Sequence, residues 1–235
     1  MTTYAIGLLF LMAVVVCRAE EAARRQYGPP GFEEAIQEFE RQDRLRFPPP
    51  GGIVIIGSSH IRLWTTLHED LAPLTLIQRG FGGSTFNDAL HYAERIVIPY
   101  QPRAVVIYSG NNDQRQVDPE TVRDACKAFV ETVRAQLPKT RIYVMSIPPA
   151  TGRQWSGRDA PGWIARETTN RLIRAYCEAA GLTWINITDP MFGPDGEPRP
   201  ELFGSDDIHL SSTGYRLWRD ILLPVLLANE APFDL

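Results

Sequence analysis

Ile53-Val54-Ile55-Ile56-Gly57-Ser58-Ser59-His60 is the stretch on which the reading of the fold turns. Four consecutive β-branched apolar residues closed by glycine leave no polar face for water, which is the pattern of a strand covered on both sides, as in a parallel sheet. The run Pro48-Pro49-Pro50-Gly51-Gly52 immediately before it cannot continue a helix and marks where the core domain, residues 51–235, begins. Before that break, Gly31 to Arg46 has Phe32, Ile36 and Phe39 on one side of a charged amphipathic helix, a peripheral arm within residues 20–50.

Downstream, apolar runs near Leu74–Gln78, Ala104–Tyr108, Ile142–Met145 and Thr183–Ile187 alternate with helical periodicity. That alternation predicts a parallel sheet between two layers of helices. Asp118-Pro119-Glu120 supplies a cap and a first-turn proline for a helix whose stripe is Val122, Cys126, Phe129, Val130, Val133 and Leu137. A further helix runs from about Pro161 to Ala180, where Gly181 stops it, and the last begins near Ser212 and carries Tyr215, Leu217, Trp218, Ile221 and Leu222.

With 235 residues, 44% of them hydrophobic, the chain has material for one compact α/β domain. Its formal charge of -4 and scattered basic residues exclude a basic face for nucleic acid or an anionic membrane, so the expected partner is a small neutral or weakly charged molecule. Ala5 to Val16 is too short for a bilayer helix, which needs about 20 residues, and sits where a secretory leader has its apolar segment. Residues 1–19 are therefore read as a leader cleaved after Ala19, with a lipid anchor on Cys17 as the alternative. The mature chain is expected outside the cytoplasm, secreted or periplasmic, without an integral span. Cys126 and Cys177 are expected to stay unpaired, because successive crossover helices run the same way and these residues fall early in one and late in the next.

In an open parallel sheet, ligands bind beyond the carboxyl ends of the strands. Four segments expected at that edge are rich in small and polar residues: Gly57-Ser58-Ser59-His60, Arg79-Gly80-Phe81-Gly82-Gly83, Gly110-Asn111-Asn112-Asp113 and Asp206-Asp207-Ile208-His209. A serine attacks well only when a base removes its proton, and an imidazole serves best when a carboxylate fixes its tautomer. The three-residue spacing of Asp206 and His209 allows that pairing within a turn, with Asp207 facing elsewhere. His60 and His68 have no acidic residue three positions upstream. Backbone N–H groups of Ser59 and Gly80 and the side-chain amide of Asn112 are candidate donors to a developing oxyanion, each neutral at any working pH.

In these four blocks the chain resembles the SGNH (GDSL-like) hydrolase family, from about Ile53 to the last helix. Gly57-Ser58-Ser59 stands where the family has G-D-S, Gly110-Asn111-Asn112-Asp113 matches G-x-N-D, and Asp206 to His209 matches D-x-x-H. Residues 57–64, GSSHIRLW, and 79–85, RGFGGST, look like a bacterial branch with G-S-S. The resemblance implies a three-layer α/β/α, flavodoxin-like sandwich with five parallel strands in the order 2-1-3-4-5. It also implies Ser59 as nucleophile, His209 as base, Asp206 as its orienter, and Ser59, Gly80 and Asn112 as oxyanion donors. The expected reaction is hydrolysis of short-chain or O-acetyl esters, including esters on a saccharide. Acyl transfer to a sugar and a noncatalytic carbohydrate-binding surface protein on the same fold are the alternatives. Absence of G-x-S-x-G argues against the α/β-hydrolase nucleophile elbow.

Each residue has a plainer role beside the chemical one. Ser59 or Ser58 would serve as the N-cap of the helix that follows, the glycines as turn residues, and Asp113 as a carboxylate holding its loop. His60 either lines the crevice or is a partly buried side chain of the first helix, while Trp64 reads as core. The long connection from Pro148 to Gly162 makes Arg153, Trp155 and Trp163 candidate substrate contacts, with a packed lid as the alternative. With no His-x-x-x-His, cysteine cluster, dinucleotide fingerprint or phosphate loop, neither a metal nor a cofactor is expected.

Overall fold

A computed structural model describes residues 31–151 and 161–233. Five parallel strands form one sheet in the order β2-β1-β3-β4-β5: β1 (Ile53–Gly57), β2 (Leu76–Gly80), β3 (Ala104–Tyr108), β4 (Arg141–Met145) and β5 (Thr183–Ile185). β1 lies inside the sheet and is fully buried, flanked by β2 with Gly57 opposite Gly80 and by β3 with Gly57 opposite Tyr108. The Ile-Val-Ile-Ile run thus covers two cores at once. Val54 and Ile56 face one layer, α1 (Glu33–Leu45), α4 (Phe86–Ile96), α5 (Pro119–Gln136) and α6 (Pro161–Ala180). Ile53 and Ile55 face the other, α2 (Ser59–Arg62), α3 (Leu67–Asp70) and α7 (Ser212–Glu230).

Local chemistry sets the helix starts. The Asp118 carboxylate accepts the Thr121 N–H at 2.8 Å and Pro119 fills the first turn of α5. Ser211 Oγ accepts the Gly214 N–H at the start of α7. Helix α4 begins with a reciprocal box, in which the Thr85 hydroxyl accepts the Asp88 N–H and the Asp88 carboxylate accepts the Thr85 N–H.

The arm is less peripheral than its composition suggests. Ile36 of α1 is fully buried in the core, and the Asp43 carboxylate meets the Arg79 guanidinium at 2.6 Å with both side chains nearly buried. Arg79 also lies over the rings of Phe39 and Tyr100, so a strand residue anchors the preceding helix. At the other end of α1, Phe32 sits edge-on to Phe81, 5.5 Å between centroids. The arm therefore reaches the carboxyl rim of the sheet.

Cys126 and Cys177 are free and buried in the same cluster. Burial first, and then the nearby Cys177, push the Cys126 thiol up. The two residues are thus neighbours, against the expectation of opposite ends. Among the described residues no helix is long and apolar enough to cross a membrane.

Candidate active site

Beyond Gly57 the backbone leaves β1 and turns at once into α2, placing Ser59 in its first turn. The N-cap position belongs to Ser58, whose side chain makes no capping bond and whose buried hydroxyl has no partner. Ser59 Oγ lies 2.8 Å from His209 Nε2, and His209 Nδ1 lies 2.5 Å from Asp206 Oδ2. A carboxylate can only accept, so Nδ1 carries the proton and Nε2 is left as the acceptor for the serine hydroxyl.

The Asp206–His209 turn is built around the carboxylate. Asp206 Oδ1 accepts the N–H of Ile208 at 3.1 Å and of His209 at 2.9 Å, while Oδ2 faces the imidazole. Burial works to raise the Asp206 carboxyl, but the His209 side-chain bond and the two backbone bonds outweigh it and hold the group at about 2. Asp207, at φ 62, points away and accepts the Thr151 hydroxyl at 2.9 Å, tying the turn to the segment after β4.

His60 is adjacent to the nucleophile in sequence but fully buried beneath the rim, its pKa pushed down to about 3, first by burial and then by His209. Asp206 is therefore charged and His60 neutral across the working range. Neither Asp206 nor His60 is expected to add a proton step to the kcat/KM profile between about pH 4 and pH 8. A limb of slope two in rates measured from pH 8 down to about pH 4 would show that one of these two groups titrates there.

Asn112 Nδ2 donates to the Ser84 carbonyl at 3.0 Å, which spends one of its two protons and places the amide against the turn after β2. Asp113, fully buried, accepts the Phe86 N–H at 2.9 Å and so joins the β3 loop to the start of α4. Gly80 is placed differently from the sequence expectation. A Cβ there would lie 2.2 Å from the Arg62 backbone nitrogen, so the missing side chain admits α2 rather than substrate. The Phe81 N–H bonds to Gly57, and alternation along the strand turns the Gly80 N–H away from β1, toward the outer edge. Gly83 is the rim glycine of this block: it is exposed, at φ 91, in the turn closed by the Ser84 N–H on the Phe81 carbonyl.

Of the three candidate substrate contacts, Arg153 and Trp155 lie outside the described residues. Trp163 is buried at the start of α6, edge-on to Phe192 at 4.9 Å, in the wall of a cavity of about 300 Å³ with Arg166, Asn170 and Trp184. Trp64 is core, its indole N–H donating to Asp70 at 2.7 Å.

A hydroxyl, an imidazole and a carboxylate in hydrogen-bonded series at the carboxyl rim of a parallel sheet are the arrangement of a serine hydrolase. The chain belongs to the GDSL-like lipase/acylhydrolase family, whose model matches residues 57–217, and it is accordingly a hydrolase of ester bonds. It is 24% identical to a GDSL lipase of Mycobacterium tuberculosis over 95% of each chain. It is 26% identical to the isoamyl acetate-hydrolyzing esterase of Schizosaccharomyces pombe over 66% of each. Among solved structures, a GDSL-like lipase from Bacteroides thetaiotaomicron superposes with a TM-score of 0.71 at 20% identity, covering 82% of this chain and 97% of that one.

Proposed function

We propose that the protein hydrolyses short-chain esters, acetate esters foremost, with Ser59 as nucleophile, His209 as base and Asp206 as its orienter. The observation that carries this reading is the 2.8 Å approach of Ser59 Oγ to an imidazole nitrogen whose other side is already bound to a carboxylate. In the acylation step Ser59 Oγ bonds to the ester carbonyl carbon while its proton passes to His209 Nε2; the same proton then goes to the departing alkoxide. Water repeats the sequence on the acyl-enzyme and releases the acid. The N–H of Ser59, left without an intrahelical partner in the first turn, faces the oxyanion together with the second Asn112 amide proton. In this reading Gly83, rather than Gly80, completes the set.

The acetate preference draws on the similarity to the isoamyl acetate-hydrolyzing esterase. An alcohol as large as a saccharide fits the same reading, because the His209 and Asp206 side chains are 33% and 50% exposed among the described residues. The apolar leader adds export to the periplasm or beyond as the proposed place of action. A series of p-nitrophenyl esters from acetate to palmitate, with an acetylated oligosaccharide alongside, tests the substrate class. The expected result is a kcat/KM that is highest for acetate and falls with chain length; a maximum at long chains would refute it. Adding a free sugar acceptor to the acetate assay should leave acetic acid as the product, whereas an acetylated sugar would mark a transferase.

A further inference from the structure

The His60 side chain makes two directional hydrogen bonds that together leave it no freedom. Its Nε2 is 3.1 Å from the Ile208 carbonyl and its Nδ1 is 3.1 Å from the Tyr108 hydroxyl. A carbonyl cannot donate, so Nε2 bears the hydrogen, and Nδ1 of the neutral ring accepts from Tyr108. The ring stacks on Trp218 at 21° and lies 5.3 Å from the His209 ring. Its own backbone carbonyl accepts the Tyr215 hydroxyl at 2.9 Å. Ile208 is the residue between the carboxylate turn and His209: its N–H is held by Asp206 and its carbonyl by His60.

We propose that His60 is a positioning residue for His209. It pins the Ile208 peptide to the helix that carries the nucleophile, so that the imidazole and the serine hydroxyl keep their separation as the turn moves. The two partners of the reacting hydrogen bond come from segments 150 positions apart, and the Nε2–H bond of His60 links the second to the first at the residue beside each reacting group. Loss of such positioning misplaces the base without altering the groups that contact the substrate, and a misplacement of about 1 Å costs on the order of 100-fold in rate. This proposal rests on the hydrolase reading above.

The test is the turnover of p-nitrophenyl acetate by His60→Phe, His60→Gln and Tyr108→Phe, with Ser59→Ala as the control. Phe keeps the stacked ring and removes both polar atoms, and its kcat is expected to fall by about 100-fold with KM changed by less than about twofold. Gln restores a donor within reach of the Ile208 carbonyl and should recover at least tenfold of that loss. Tyr108→Phe frees the tautomer and should lower kcat by about tenfold, which decides the matter if His60→Phe does not fold. Wild-type kcat in His60→Phe or Tyr108→Phe, or a His60→Gln variant no better than His60→Phe, overturns the positioning role. When Ser59→Ala is inactive in the same series, that outcome removes this proposal alone; an active Ser59→Ala removes the site reading with it.

Discussion

Ser59→Ala is expected to lower hydrolysis of p-nitrophenyl acetate by about a million-fold, because residues that act as one unit lose nearly the whole of their joint effect when one is removed. The geometry explains the size. Without Oγ, His209 has no proton to take, no acyl-enzyme forms, and water would have to attack directly from a position the enzyme does not organise. The residue left behind would be the contribution of the oxyanion donors and of substrate binding, on the order of a thousandfold over water. Stability should be unaffected, since among the described residues the Ser59 hydroxyl bonds to His209 alone. Turnover and thermal unfolding of the same preparation check both halves.

Asp206→Asn should cost about 10,000-fold in kcat with the fold intact. Asn is isosteric with Asp, and its carbonyl oxygen can still accept the N–H bonds of Ile208 and His209 that shape the turn. The group then facing His209 Nδ1 is an amide that donates. Nδ1 becomes the acceptor, the ring proton moves to Nε2, and Nε2 no longer has a lone pair for the Ser59 hydroxyl. Asp206→Glu is the contrasting variant: it keeps the sign of the interaction but lengthens the reach, so its loss should be smaller. An Asn variant with activity near the wild type would show that the tautomer is set by something other than this carboxylate.

The strand runs and the three blocks around Ser59, Asn112 and His209 were legible because each rests on a local signal: unbroken β-branched residues, a small residue at a strand end, a carboxylate three positions before a histidine. What escaped was tertiary. Leu74 is apolar like the strand that follows but belongs to a turn, its N–H bonded to Leu71, so β2 starts at Leu76 and not at Leu74. β5 ends at Ile185 because the Ile187 N–H goes to Ser146 Oγ instead of the ladder. The docking of α1 depends on Arg79, a residue whose neighbours suggested only a turn, meeting Asp43 across 36 positions. The glycines of this block likewise look alike in sequence until the partner helix shows that Gly80 has no room for a Cβ. His60 was legible only as a residue of the Gly57–His60 block that either lines the crevice or fills the first helix. Its one local sign was its place next to the nucleophile, and its burial and both of its partners come from distant segments. Helix α4 did have a local sign, Thr85 and Asp88 in capping-box spacing, overshadowed by the glycines before it.

The most direct test of the central claim is to treat the protein with a fluorophosphonate and map the modified peptide by mass spectrometry. The reagent reports a hydroxyl that a neighbouring base has made nucleophilic, and it reports the position. The account predicts a single adduct on Ser59, lost when the reaction is run on His209→Ala. An adduct on any other serine, or an unmodified Ser59 in a preparation that still hydrolyses acetate esters, would contradict it.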